Sequence, residues 1–100
     1  MSLVTAHHPE HVEARLQSDL EKGALQAIEG RVQRINYKTR ELTVIVDGEV
    51  MYLTADPDCQ CWFDDRRTIL RSFHPLDQAH VIFAPGEPNH VAKAMYAWER

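Results

Sequence analysis

Glu41-Leu42-Thr43-Val44-Ile45-Val46-Asp47-Gly48-Glu49-Val50-Met51-Tyr52-Leu53-Thr54 is the stretch that decides the fold. Two alternating runs flank Asp47-Gly48, the pair preferred in a two-residue type I′ turn because both positions need positive φ. Closing a hairpin there sets Val44 opposite Met51 and Leu42 opposite Leu53 on one face. Ile45 then faces Val50, and Thr43 faces Tyr52, on the other. A slip of one residue would move both sets to the wrong side, so the pattern fixes the register. Both faces are partly apolar, which predicts a hairpin covered on two sides.

Working outward, Gly30-Arg-Val-Gln-Arg-Ile-Asn36 reads as the preceding strand. Val32 and Ile35 are three apart, a spacing that strict alternation cannot place on one face and that a β-bulge reconciles. Tyr37 to Arg40 is the turn between them. After the hairpin, Ala55-Asp-Pro-Asp58 should interrupt the ladder, because proline donates no strand hydrogen bond. Cys59 to Phe63 reads as a short strand, followed by an exposed turn at residues 64–67. Residues 68–73 fit either a helical turn or a strand. Ala79 to Ala84 and His90 to Trp98 are the last two strands, joined by a turn at residues 85–89.

Upstream, Pro9 suits the first turn of a helix. Glu10 and Glu13 sit where the helix dipole favours negative charge. Val12, Leu16, Leu20, Ala24 and Ile28 recur every four residues, predicting an amphipathic helix over 9–28 with Gly23 as a weak interior point. Residues 1–8 are expected to fray. The expectation is one domain over 1–100 of a mainly β (α+β) class: an N-terminal amphipathic helix, then a small antiparallel barrel of five to six strands over 30–98. The outward set Ile45, Val50 and Tyr52 needs cover, which the Leu16–Leu20 stripe would supply from the same chain or from a second copy. The outcome is a capped monomer or a homodimer with cross-packed helices.

The run Gly30-Arg-Val-Gln-Arg-Ile, a turn, then Thr39-Arg-Glu-Leu-Thr-Val resembles the opening strands of small bacterial barrels of the OB or SH3-like type. The resemblance covers residues 30–54 and, more loosely, 79–98. It implies a small barrel, leaves OB-like and SH3-like strand orders open, and carries over no catalytic residue.

The net charge is −4, unevenly placed: −3 over residues 1–29, zero over 30–75 and −1 over 76–100. This balance argues against strong nonspecific nucleic-acid binding, which depends on phosphate neutralisation. No apolar run reaches the length of a membrane span, and no charged segment followed by an apolar one heads the chain. A reducing cytoplasm is the expected compartment.

Candidate chemistry is sparse. Cys59 and Cys61 point the same way from a strand, but structural zinc needs four ligands, and the histidines at 74, 80 and 90 are scattered. A buried core pair is the leading reading, with a Cys/His metal-binding protein as an alternative. A disulfide between them is disfavoured, since i and i+2 of an extended strand lie about 6.6 Å apart at Cα with parallel side chains. His7, His8 and His11 read as a solvated helix start. Arg31, Arg34 and Arg40 surround Tyr37, a pattern that single-strand-binding barrels use for stacking and phosphate contact. Asp56, Asp58, Asp64 and Asp65 oppose that reading. No nucleophile motif, phosphate-binding glycine loop or placed carboxylate pair is present, so no catalytic residue, metal ligand or cofactor is expected. The leading expectation is a non-enzymatic interaction module that binds a protein partner or itself through Ile45, Val50, Tyr52, Leu16 and Leu20. A single-stranded nucleic-acid binder using Arg31, Arg34, Tyr37 and Arg40 is the alternative.

Overall fold

In the structure, a computed structural model that describes residues 14–98, the hairpin forms as its sequence requires. Strands β2 (Glu41–Val46) and β3 (Glu49–Phe63) pair with Leu42 opposite Leu53, Thr43 opposite Tyr52, Val44 opposite Met51 and Ile45 opposite Val50. Asp47 and Gly48 both adopt positive φ. The preceding strand β1 (Gln26–Asn36) pairs antiparallel with β2, and its register shifts between Val32 and Arg34, where the three-residue spacing asked for a bulge.

The remaining strands are β4 (Arg66–Thr68), β5 (Gln78–Ala84) and β6 (His90–Ala97), with a 3-10 turn at Leu70–Ser72. The N-terminal half of β1 pairs with β5, β5 pairs with β6, and β6 returns to β3, which closes a five-stranded OB-like barrel. β4 is a short addition that folds back on the end of β3 through Asp64 and Asp65. The expectation of an all-antiparallel barrel is corrected at one seam: β3 and β6 run parallel. Their connection passes through β4, the 3-10 turn and β5, long enough for the crossover that a parallel pair needs. The expected break at Pro57 appears as a gap in that seam between Ala55 and Gln60, while β3 itself continues through it.

The barrel interior holds Val32, Val44, Leu53, Phe73, Val81 and Met95, all fully buried. A second cluster lies outside the barrel wall, where Leu16 and Leu25 cover Ile82, Ala94 and Tyr96, with Leu20, Trp62 and Trp98 packed around them. Burying a leucine in this way contributes about 1.5–3 kcal/mol.

The helix is shorter than the periodicity predicts. Helix α1 spans Ala14–Glu21, and the chain enters β1 at Gln26, so Ala24 and Ile28 are not helical and the barrel begins before Gly30. Gly23 is the reason. It adopts φ +83, its N–H donates to Leu20 O at 3.1 Å, and the N–H of Ala24 donates to Asp19 O at 2.9 Å. These are the paired bonds of a Schellman stop, with glycine in the left-handed position. The expected helix start at Pro9, with Glu10, Val12 and Glu13, the frayed 1–8 segment, and the histidines at 7, 8 and 11 lie outside the described residues. Among the described residues no helix is long and apolar enough to cross a membrane.

Candidate binding face

The bulge in β1 organises the outer face of β1, β2 and β3. On its N-terminal side, Arg31, Ile45 and Val50 form one cross-strand row; on its C-terminal side, Arg34, Thr43 and Tyr52 form the next. The extra residue, Gln33, also faces outward, and its Oε1 accepts a hydrogen bond from Thr43 Oγ1 at 3.1 Å. Each row therefore begins with a guanidinium and ends with an apolar or aromatic side chain. Tyr52 is 60 % exposed and Val50 40 %. No contact ties Arg31, Arg34 or the Tyr52 ring to another side chain among the described residues.

A groove of about 550 Å³ runs along this face, lined by Gln33, Arg34, Thr43 and Tyr52 together with Pro75 and Asn89 from two loops. The Pro75 loop is fixed to the bulge: Leu76 N–H donates to Val32 O at 2.8 Å, and Val32 N–H to Asp77 O at 2.9 Å. Leu76 pays for this position with φ +82 and stands 60 % exposed beside the groove. A leucine at positive φ is an outlier that persists only where surrounding contacts hold it. Asn89 is held from the other side, with Nδ2 donating to Thr54 Oγ1 at 3.0 Å.

The residues predicted for a binding role separate into two groups. Arg31, Arg34, Ile45, Val50 and Tyr52 share this face. Leu16 does not: it is buried against the β5–β6 wall, and Leu20 packs beside it, so the helix covers a different part of the barrel from the one expected. Tyr37 is half-buried, its hydroxyl donates to Phe73 O at 2.5 Å, and the Arg71 guanidinium lies 5.3 Å from its ring centre. Arg40 turns inward, with Nε donating to Ala55 O at 3.2 Å and Nη2 to Asp56 O at 2.9 Å. Both hold the first turn against the barrel. Gln33, Pro75, Leu76 and Asn89 were missed. The bulge spacing marks Gln33, whereas nothing local in the sequence marks a leucine in the left-handed region.

The cysteines sit elsewhere, at the end of the β3–β6 gap. Cys61 is buried in the interior cluster and Cys59 is half-buried against it. Cys61 Sγ lies 3.8 Å from Cys59 O and Cys59 Sγ 3.9 Å from Gln60 O; the neighbouring Cys61 and burial push the Cys59 thiol up, while the neighbouring Cys59, with Arg40 and Arg67, holds the Cys61 thiol down. Next to them, Lys93 Nζ pairs with Asp56 Oδ2 at 2.8 Å. That bond, and the one Asp56 accepts from Asp58 N–H, hold the Asp56 carboxyl below the usual range. His74, His80 and His90 do not converge on the thiols: the His90 ring lies 5.0 Å from that of Phe83, and the His80 ring 6.1 Å from that of Tyr96. Among the described residues no three His, Cys, Asp or Glu side chains converge as a metal cage.

No protein-family model matches the chain, and neither does any curated protein. Solved structures do. The fold is similar to that of CusF. Apo-CusF from Escherichia coli superposes with a TM-score of 0.58 at 11 % identity, covering 99 % of this chain and 100 % of that one. The Ag(I) form from Escherichia coli gives 0.60 at 12 % identity, covering 75 % and 92 %, and a further Ag(I)CusF crystal structure gives 0.59 at 12 %, covering 73 % and 96 %. At this identity the likeness to CusF shows the fold alone, and it agrees with the closed five-stranded ring traced above.

Proposed function

We propose that this chain is a small non-catalytic binding module that engages a protein partner through the outer face of β1, β2 and β3. One observation carries the reading: the chain covers the outer apolar patch on β5 and β6 with its own helix but leaves Val50, Tyr52 and Leu76 exposed around a groove. Exposed aromatic and apolar side chains gathered beside a concavity and flanked by free guanidiniums are the usual makings of an interaction site. The matching partner surface is an apolar side chain to lie on Tyr52 and Val50, with carboxylates near Arg31 and Arg34. The same proposal places the protein in a reducing compartment such as the cytoplasm, where the free thiols of Cys59 and Cys61 stay reduced.

A second reading, single-stranded nucleic acid, is favoured by the Arg34–Thr43–Tyr52 row, which sets a guanidinium beside an exposed aromatic platform. It uses Tyr52 in place of Tyr37. Its weakness is electrostatic, since Glu41 lines the same groove as Arg34 and the chain carries a net charge of −4.

Titration with labelled single-stranded RNA and DNA at low and physiological salt separates the two. The protein-partner reading expects no saturable, salt-sensitive binding. Tight binding that Tyr52→Ala abolishes would replace it with the nucleic-acid reading. Sedimentation of wild type and Val50→Lys over a concentration series shows whether the partner is a second copy of this chain.

A further inference from the structure

The groove over β2 has two walls of opposite hydrogen-bonding character. β1 and β3 flank β2, so the wall backbones stand about 10 Å apart, or two strand spacings. That width admits one extended chain and excludes a helix, which is about 10–12 Å across with its side chains. On the β1 wall, Gln33 Oε1 accepts from Thr43, and Asn36 Oδ1 accepts from the N–H groups of Lys38 and Thr39 at 2.9 and 3.1 Å. With both oxygens engaged, these two amides turn their NH2 groups to a ligand as donors. On the β3 wall the sense is reversed. Asn89 Nδ2 donates to Thr54 Oγ1, which leaves Asn89 Oδ1 as an acceptor.

Charge changes sign along the groove. Arg34 stands in one outward row and Glu41 in the next, opposite Asn36 and Thr54. Arg34 meets no carboxylate among the described residues. The loop beyond β1 adds strain. His74 to Asp77 is a type II turn: Asp77 N–H donates to His74 O at 3.1 Å, Pro75 holds the second position and Leu76 the third, with φ +82. That third position favours glycine or asparagine, yet it carries a leucine that is 60 % exposed. So exposed a side chain packs little against the fold to offset its strain, so its use lies outside the folded chain.

We propose that the groove binds an extended peptide segment of the partner, with an acidic side chain on Arg34, an apolar side chain over Tyr52 and apolar contact with Leu76. The segment's backbone supplies what the walls lack: its carbonyls take the Gln33 and Asn36 donors, and an N–H takes the Asn89 acceptor. Glu41 sets the direction, since the residue beside it is neutral or basic while the acidic one lies at Arg34. This inference rests on the protein-partner reading and narrows the partner from a folded surface to a single extended stretch of chain.

The test selects short random peptides displayed on phage against the full chain, with the Tyr52→Ala chain as counter-target. A selected sequence is then synthesised with a fluorescein label and titrated by anisotropy. The expected outcome is enrichment of sequences with Asp or Glu near a large apolar residue, and saturable binding that Tyr52→Ala and Arg34→Glu each weaken about tenfold or more. Leu76→Gly, which the turn accepts, should weaken binding by a similar factor while the chain still melts cooperatively. Replacing the peptide's acidic residue with lysine should abolish binding to wild type and restore it to Arg34→Glu. No enrichment over the counter-target, or binding that Arg34→Glu or Leu76→Gly leaves intact, would overturn the inference. If no peptide is selected but a photocrosslinker at position 52 still captures a protein in the cell, the peptide inference fails and the protein-binding face stands. Loss of both removes the face itself.

Discussion

Gly30 passes so close to Ile45 that no side chain fits between them. A Cβ at Gly30 would meet the Ile45 carbonyl oxygen and stand 2.8 Å from Val44 Cγ1. This contact draws β1 against β2 just before the bulge that sets Arg31 and Arg34 in their two rows. Gly30→Ala should therefore destabilise the barrel by about 1–3 kcal/mol, as overpacking does. Urea denaturation checks it; an unchanged midpoint would mean that the strands are not so close.

At Gly23 the sign of one substitution tests the helix boundary. Alanine inside a helix is preferred to glycine by about 1 kcal/mol, so an interior Gly23 predicts that Gly23→Ala stabilises. The Schellman stop predicts the reverse, a loss of about 1–2 kcal/mol from forcing a Cβ into the left-handed region. Thermal melts of the two proteins decide between them.

The Asp56–Lys93 pair predicts a pH dependence. Because the Asp56 carboxyl is held below its ordinary value in the folded chain, its contribution is present above the unfolded carboxylate range and is lost as pH falls through the folded value. Lys93→Met should cost about 0.2–1 kcal/mol at neutral pH, the usual size for a partly exposed pair. That difference should close in acid. A difference that persists at low pH would assign the loss to packing of the lysine stem.

The two tyrosines should respond in opposite ways. Tyr37→Phe removes the hydrogen bond to Phe73 O and should cost about 0.5–1.5 kcal/mol of stability without altering the binding face. Tyr52→Ala should leave stability within about 0.5 kcal/mol, as exposed positions do, and remove partner binding. Denaturation curves of both variants are the check.

What the sequence disclosed follows from the range of the interactions involved. The Asp47-Gly48 turn, the hairpin register and the Val32/Ile35 bulge are local, and each is written in spacing and turn chemistry. The parallel β3–β6 seam is not, because a strand's own residues carry no mark of which distant strand will pair with it. Ala24 and Ile28 continue a four-residue period by coincidence, so periodicity alone carries the helix past Gly23, the residue whose positive φ stops it. Of the binding face, Ile45, Val50 and Tyr52 were legible from alternation. Their meeting with Arg31 and Arg34 required the bulge, and the Pro75–Leu76 and Asn89 contributions required the closed barrel. Tyr37 and Arg40 looked exposed in a basic turn, yet the acceptors that hold them, on Phe73, Ala55 and Asp56, lie 15–36 residues away.

The most direct test of the binding face is site-specific photocrosslinking in the native cell. A benzoylphenylalanine replaces Tyr52 in one strain and Ile69 in another, the latter being 65 % exposed and outside the two rows. The account predicts a discrete protein adduct from position 52 that Val50→Lys and Arg34→Glu suppress, and none of that mass from position 69. The same adduct from both positions, or one from position 69 alone, would contradict it.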